Sequence, residues 1–191
     1  MHPRRRFLGG LLGGAALAAL SPSGLLEAAR PRLRPAPRPE RGAPSDVALL
    51  NTALELEHTA IHAYGLVGGS GVLSIKLLET GGIFRGSHER HRDTLVRVIQ
   101  ELGGSPIPPK PTYEFGAFDL KSERDLLLLG LFLEMKAARA YQNAIPLFRS
   151  PLLPGPAARI LGDEVSHAVV FRTALGRKPV AFFTQLEEDE G

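Results

Sequence analysis

Two carboxylates stand where a helix would ordinarily present hydrocarbon. Leu50, Leu54, Glu57 and Tyr64 recur 77 residues later as Leu127, Leu131, Glu134 and Tyr141. In each copy the Glu follows one Leu by seven residues and the next by three, and precedes the Tyr by seven. On a 3.6-residue period that places the carboxylate on the apolar stripe. A carboxylate on a core face is costly unless it is paired or bound to a cation. A second pair of segments repeats at an offset of 76: His91 matches His167, His88 matches Glu164, and Phe84, Leu95 and Val98 match Ile160, Phe171 and Ala174. Helical spacing of three turns both members of each pair the same way. Four segments therefore offer Glu57, His88-x-x-His91, Glu134 and Glu164-x-x-His167 to one interior.

The segments that carry these residues have legible ends. Ser45 is a plausible N-cap, and Leu50, Ala53, Leu54, Ile61 and Tyr64 keep helical spacing up to Gly68-Gly69. A second helix is expected from about Val72 to Leu102, stopped by Gly103-Gly104, with Gly81-Gly82 as an irregularity or break. Ser105 to Lys121 holds four prolines and then Tyr113, Phe115 and Phe118, which predicts an ordered crossover rather than a helix. Ser122 with Asp125 resembles a capping box and opens a third helix to about Ile145. A fourth is expected from near Pro156 to Gly176. Short connections join antiparallel neighbours, so the chain should form two hairpins linked by one crossover.

Charge and cysteine usage narrow the chemistry. The net charge of +3 comes from residues 1–44, whose eight Arg and two Glu sum to +6; the remainder carries −3. The basic pI is no argument for nucleic acid. With no Cys, disulfides, thiolate metal sites, iron–sulfur clusters and a lipoprotein anchor are excluded. Met1 to Leu20 is a cationic start followed by an apolar run, Phe7 to Leu20, of 14 residues. That run is short for a bilayer span of about 20. Residues 1–29 are expected to be a signal peptide, cleaved near Ala28-Ala29, leaving no stable membrane span. Arg4-Arg5-Arg6-Phe7-Leu8 resembles the twin-arginine signal, which implies export to the periplasm or another extracytoplasmic space of a protein already folded, and often loaded with its cofactor. Residues 30–44, rich in Pro and Arg, read as an extended linker, 45–176 as the folded domain, and 177–191 as a tail acidic at its end.

From Asp46 to Gly176 the pattern resembles the ferritin-like di-metal carboxylate proteins, which use one Glu from each of two helices and Glu-x-x-His from each of the other two. It is most similar to exported bacterial ferritin-like proteins related to desiccation-associated ones. The resemblance implies an all-α, ferritin-like four-helix bundle. It also implies a centre of one or two Fe or Mn ions, with Glu57 and Glu134 as terminal carboxylates, His91 and His167 as imidazole ligands and Glu164 as a bridge. Tyr64 and Tyr141 would hydrogen-bond to those ligands. The implied partner is a small oxidant, peroxide or dioxygen. No catalytic residue is named, and a homo-oligomer stays open.

His88 departs from the pattern, standing where the family usually has a second bridging Glu. A neutral imidazole has one coordinating nitrogen, so a single-metal or asymmetric site becomes an alternative. Glu89 should face out, and His58 and His62, an i, i+4 pair about 100° and 140° round from Glu57, should lie on a solvated or interfacial face. Three functions follow in order. The first is a di-metal oxidoreductase of peroxidase, catalase or oxidase type. The second is a non-catalytic helical envelope or stress protein whose Glu and His residues form a metal-free network or a vestigial or single-metal site. An iron-storage cage comes last.

Overall fold

The computed structural model describes residues 45–116 and 118–179; the expected signal peptide, the linker and the acidic end of the tail lie outside them. The described residues form helices α1 (Asp46–Gly68), α2 (Ile75–Glu101), α3 (Glu123–Ala144) and α4 (Pro154–Ala174), with a 3-10 turn at Ile145–Leu147. No strand occurs among them. Helix α1 packs mainly on α2 and α3 on α4, with α1 also against α3. These are the two hairpins expected, and the architecture is a ferritin-like four-helix bundle. No helix of the described residues is long and apolar enough to cross a membrane.

The caps act as the sequence suggests. Ser45 Oγ accepts the Ala48 N–H at 3.2 Å, and Ser122 Oγ accepts the Asp125 N–H at 3.1 Å. Each satisfies a donor that the first helical turn leaves unpaired, a contribution of about 1 kcal/mol. Gly103, at φ +75°, closes α2 in the left-handed conformation that glycine adopts without strain.

Two expectations are corrected. Helix α2 runs unbroken through Gly81-Gly82, because packing along α1 outweighs the low helix propensity of two glycines. Helix α4 begins at Pro154, two residues earlier than Pro156, since either proline suits a first turn and the Ala157 N–H already finds Leu153 O at 3.1 Å.

The crossover is tied down onto α1. Asn51 Oδ1 accepts the Ile107 N–H at 2.9 Å, Asn51 Nδ2 donates to Ser105 O at 3.1 Å, and His58 Nε2 lies 3.2 Å from Ile107 O. His58 is buried by this contact, and the His62 ring centroid is 5.2 Å from that of Tyr113. The His58/His62 face is thus interfacial.

Helices α3 and α4 approach closely only because residue 130 has no side chain. A methyl group on Gly130 would sit 2.5 Å from Phe171 Cζ. Gly130→Ala should therefore cost about 1–3 kcal/mol by overpacking, despite alanine's better helix propensity. Urea melts would check this, and an unchanged midpoint would mean that the two helices part freely.

Candidate metal centre

All six expected ligands meet at mid-bundle. Glu57 comes from α1, His88 and His91 from α2, Glu134 from α3, and Glu164 and His167 from α4; all are buried, the three glutamates completely. They form two overlapping groups, Glu57/His88/His91/Glu164 and His88/Glu134/Glu164/His167. Within each group, one nitrogen or oxygen per residue lies within 4.8 Å of the others. The sequence repeat is therefore a spatial repeat, with His88 and Glu164 common to both halves.

Glu57 and Glu134 are held from the outer side by the tyrosines. The Tyr141 hydroxyl donates to Glu57 Oε1 at 2.6 Å, and the Tyr64 hydroxyl donates to Glu134 Oε1. From the inner side, His88 Nδ1 is 2.8 Å from Glu57 Oε2 and His88 Nε2 is 3.1 Å from Glu134 Oε1. His167 Nδ1 is 3.1 Å from Glu134 Oε2. His88 thus serves both halves, one ring nitrogen to each, where the sequence suggested it could serve one.

Burial opposes every charge here, and the neighbours decide which charges persist. Burial disfavours a cationic His88, but the hydrogen bonds to Glu134 and Glu57 and the negative charge around it raise its pKa to about 11. Burial likewise opposes ionised Glu57 and Glu134; His88 and His91 hold Glu57 low, and His167 and His88 hold Glu134 low. Glu164 goes the other way. Burial and the charges of Glu134 and Glu57 push it well above the usual carboxylate range.

Glu164 is also the carboxylate that has imidazole neighbours within ion-pair distance but no hydrogen bond. Its two oxygens and His91 Nδ1 have no hydrogen bond. Yet His91 Nδ1 lies 3.1 Å from Glu164 Oε1 and 3.6 Å from Glu57 Oε2, close but out of line. Buried polar atoms are normally paired. Polar atoms that converge without hydrogen bonds fit a cation between them once their protons are released, so the donor set suits a divalent metal ion.

One contributor was missed from sequence. Asp163 Oδ2 lies 3.1 Å from His91 Nε2. With the proton on Nε2 donated to Asp163, the Nδ1 lone pair is turned inward, the arrangement that orients metal-binding imidazoles. The signal in the sequence is Asp163 next to Glu164; adjacent residues lie 100° apart on a helix, and His91 reaches across to it from α2. Phe84 stacks on His167, centroids 3.9 Å apart. Glu89 points away from the cluster and pairs with Arg85 at 3.1 Å.

The model of the family described as the ferritin-like domain matches residues 45–177. The structure is similar to the crystal structure of a conserved hypothetical protein from Mycobacterium tuberculosis, with a TM-score of 0.63 and 21% identity. That match covers 71% of this chain and 93% of the other, and at such identity the likeness is one of fold. No curated protein matches the chain significantly.

Proposed function

The chain belongs to the ferritin-like domain family, and on that premise we propose that its Glu/His cluster is a two-metal centre, of iron or manganese, that consumes peroxide or dioxygen. The observation that carries this reading is the orphaned set, Glu164 Oε1, Glu164 Oε2 and His91 Nδ1, three buried polar atoms without a hydrogen bond among the clustered Glu and His side chains. Glu57 and His91 would hold one ion and Glu134 and His167 the other, with Glu164 and His88 between them. Bound iron or manganese would polarise an oxygen species and cycle in charge. The protein's part is positioning. Tyr141 and Tyr64 hold Glu57 and Glu134, Asp163 orients His91, and Phe84 stacked on His167 excludes water from that side.

Three carboxylates and two divalent ions leave an excess of +1, which one bound hydroxide would offset. We also assign the protein to an extracytoplasmic compartment, on the strength of Arg4-Arg5-Arg6-Phe7-Leu8 and the apolar run after it. A kinship with desiccation-associated proteins is part of this proposal and rests on sequence resemblance.

His88 favours a second reading. Its two nitrogens already join Glu57 to Glu134, as they would in a stress protein whose polar core is closed by hydrogen bonds. Loading with Mn or Fe, followed by metal analysis and a peroxide-consumption assay, separates the two. The di-metal reading expects about two ions per chain, in keeping with the Glu and Glu-x-x-His ligand set. Less than about 0.2 ion per chain would sink it, since a real site leaves a stoichiometric trace. Full loading without peroxide or dioxygen consumption would leave a metal-binding envelope protein.

A further inference from the structure

The bundle is filled unevenly on the two sides of the cluster. On the Tyr141 side, Leu54, Leu95, Ile99, Leu153 and Ile160 pack into a continuous core. On the Tyr64 side there is a pocket of about 200 Å³ that opens partly to solvent. It lies between the second half of α1, the first half of α2, the start of α3 and the end of α4. Leucines, Val170 and Phe171 make up most of its wall, and Arg85 is the one charged side chain among the described residues lining it. That side chain is half exposed and already paired with Glu89.

Five helical glycines also line this space: Gly65, Gly68, Gly81, Gly82 and Gly130. Glycine inside a helix is less stable than alanine, so each calls for a reason. Gly130 has one in Phe171. The other four have none in packing. A methyl group would lie 3.8 Å from Arg85 Nη1 at Gly65, 3.9 Å from Leu78 Cδ1 at Gly68 and 3.8 Å from Tyr64 Cδ1 at Gly81. At Gly82 it would meet nothing within 4 Å. Nor does the backbone need them, for none of the four has a positive φ.

The internal repeat supplies a comparison within the same molecule. At the 76-residue offset, Gly81 and Gly82 of α2 correspond to Ala157 and Ala158 of α4. Ala157 is buried in the packed core on the Tyr141 side. One side of the bundle accepts the methyl group, and the other leaves it out beside the pocket.

We propose that this cavity is a binding site for a small uncharged apolar molecule, a single aromatic ring or a hydrocarbon of similar size, seated against the ring of Tyr64. An enclosed apolar cavity of about 150 Å³ takes benzene, so this partly open pocket is large enough for one ring. A charged ligand would be buried against carbon with no free counter-charge, which is unfavourable. The occupant would lie one ring away from the Glu/His cluster, because the Tyr64 hydroxyl on the far side of that ring donates to Glu134. The inference does not depend on a metal being bound.

Titration of the full chain with toluene and with indole, followed by NMR of the Tyr64 ring and the lining leucine methyls, tests the site. The wild type should show saturable shifts confined to these groups. Gly81→Leu should weaken binding at least about tenfold by filling the cavity, and Gly68→Leu fills the same space from α1 should the first variant misfold. Gly81→Ala should keep binding and raise the melting temperature by a few degrees. The proposal fails if the wild type binds neither probe at millimolar concentration, or if binding survives unweakened in folded Gly81→Leu and Gly68→Leu. It also fails if binding appears only in a chain shortened after Pro179, which would make the chain's own tail the occupant.

Discussion

Adding manganese or ferrous iron to the metal-free chain should raise its melting temperature by on the order of 10 °C. A ligand that binds only the folded state stabilises it by about 4 kcal/mol at a thousandfold excess over its dissociation constant. In a domain of this size each kcal/mol is worth a few degrees. The metal-free cluster is where such a gain is available. It buries three carboxylates against three imidazoles, and Glu164 is left with neither oxygen hydrogen-bonded and its pKa driven up by burial and by its neighbours' charge. A divalent ion would replace that arrangement with direct coordination. Magnesium should shift the melt far less, because it prefers an octahedral shell of oxygens and dehydrates reluctantly, whereas half of these ligands are imidazoles. Differential scanning fluorimetry with Mn, Fe(II), Zn and Mg would show the order. Equal and negligible shifts for all four would mean that the hydrogen-bonded network is the functional state.

Removing Glu134 should have the largest effect of any single substitution. Its carboxylate receives Tyr64 Oη, His88 Nε2 and His167 Nδ1, two of them at 3.1 Å and all from buried residues. Glu134→Ala strands those three groups and leaves His88, whose pKa is raised to about 11, without one of its two anions. Breaking a buried ion pair by deleting one partner costs about 3–5 kcal/mol, against about 1 kcal/mol for a helix cap such as Ser122. Metal content should fall to background at the same time. Glu134→Gln separates the two effects. An amide of nearly the same shape can keep part of the hydrogen bonding, so most of the stability should return, while the lost charge should keep the metal away. If Glu134→Gln binds metal as the wild type does, Glu134 is not a ligand.

The helices and their partners were legible because the signals are local or periodic. Ser45 and Ser122 announce helix starts through their own side chains, Gly103 announces a stop, and the prolines from Pro106 to Pro111 rule out a helix between the hairpins. The repeat did more than mark helices. By placing Glu57 and Glu134, and His91 and His167, at matching positions on apolar stripes, it required a common buried interior before any packing was known. Gly81-Gly82 misled because propensity is a weak local preference, and α2 continues as one helix through both.

By itself the sequence determined that these residues lie inside, since Glu or His recurs at a fixed helical period on each of the four apolar stripes and is costly there unless paired or bound to a cation. It determined the connectivity as well, through two short turns and one proline-rich crossover. Tertiary structure alone decided how the polar atoms share out their bonds. That His88 faces Glu57 with one nitrogen and Glu134 with the other, that Asp163 claims His91 Nε2, that Glu164 lacks a hydrogen bond, and that a pocket opens on the Tyr64 side are consequences of the distances between helices. Hydrogen bonding and coordination depend on separations of a few tenths of an ångström and on ring orientation. A periodic pattern specifies the face of a helix and carries no information at that scale.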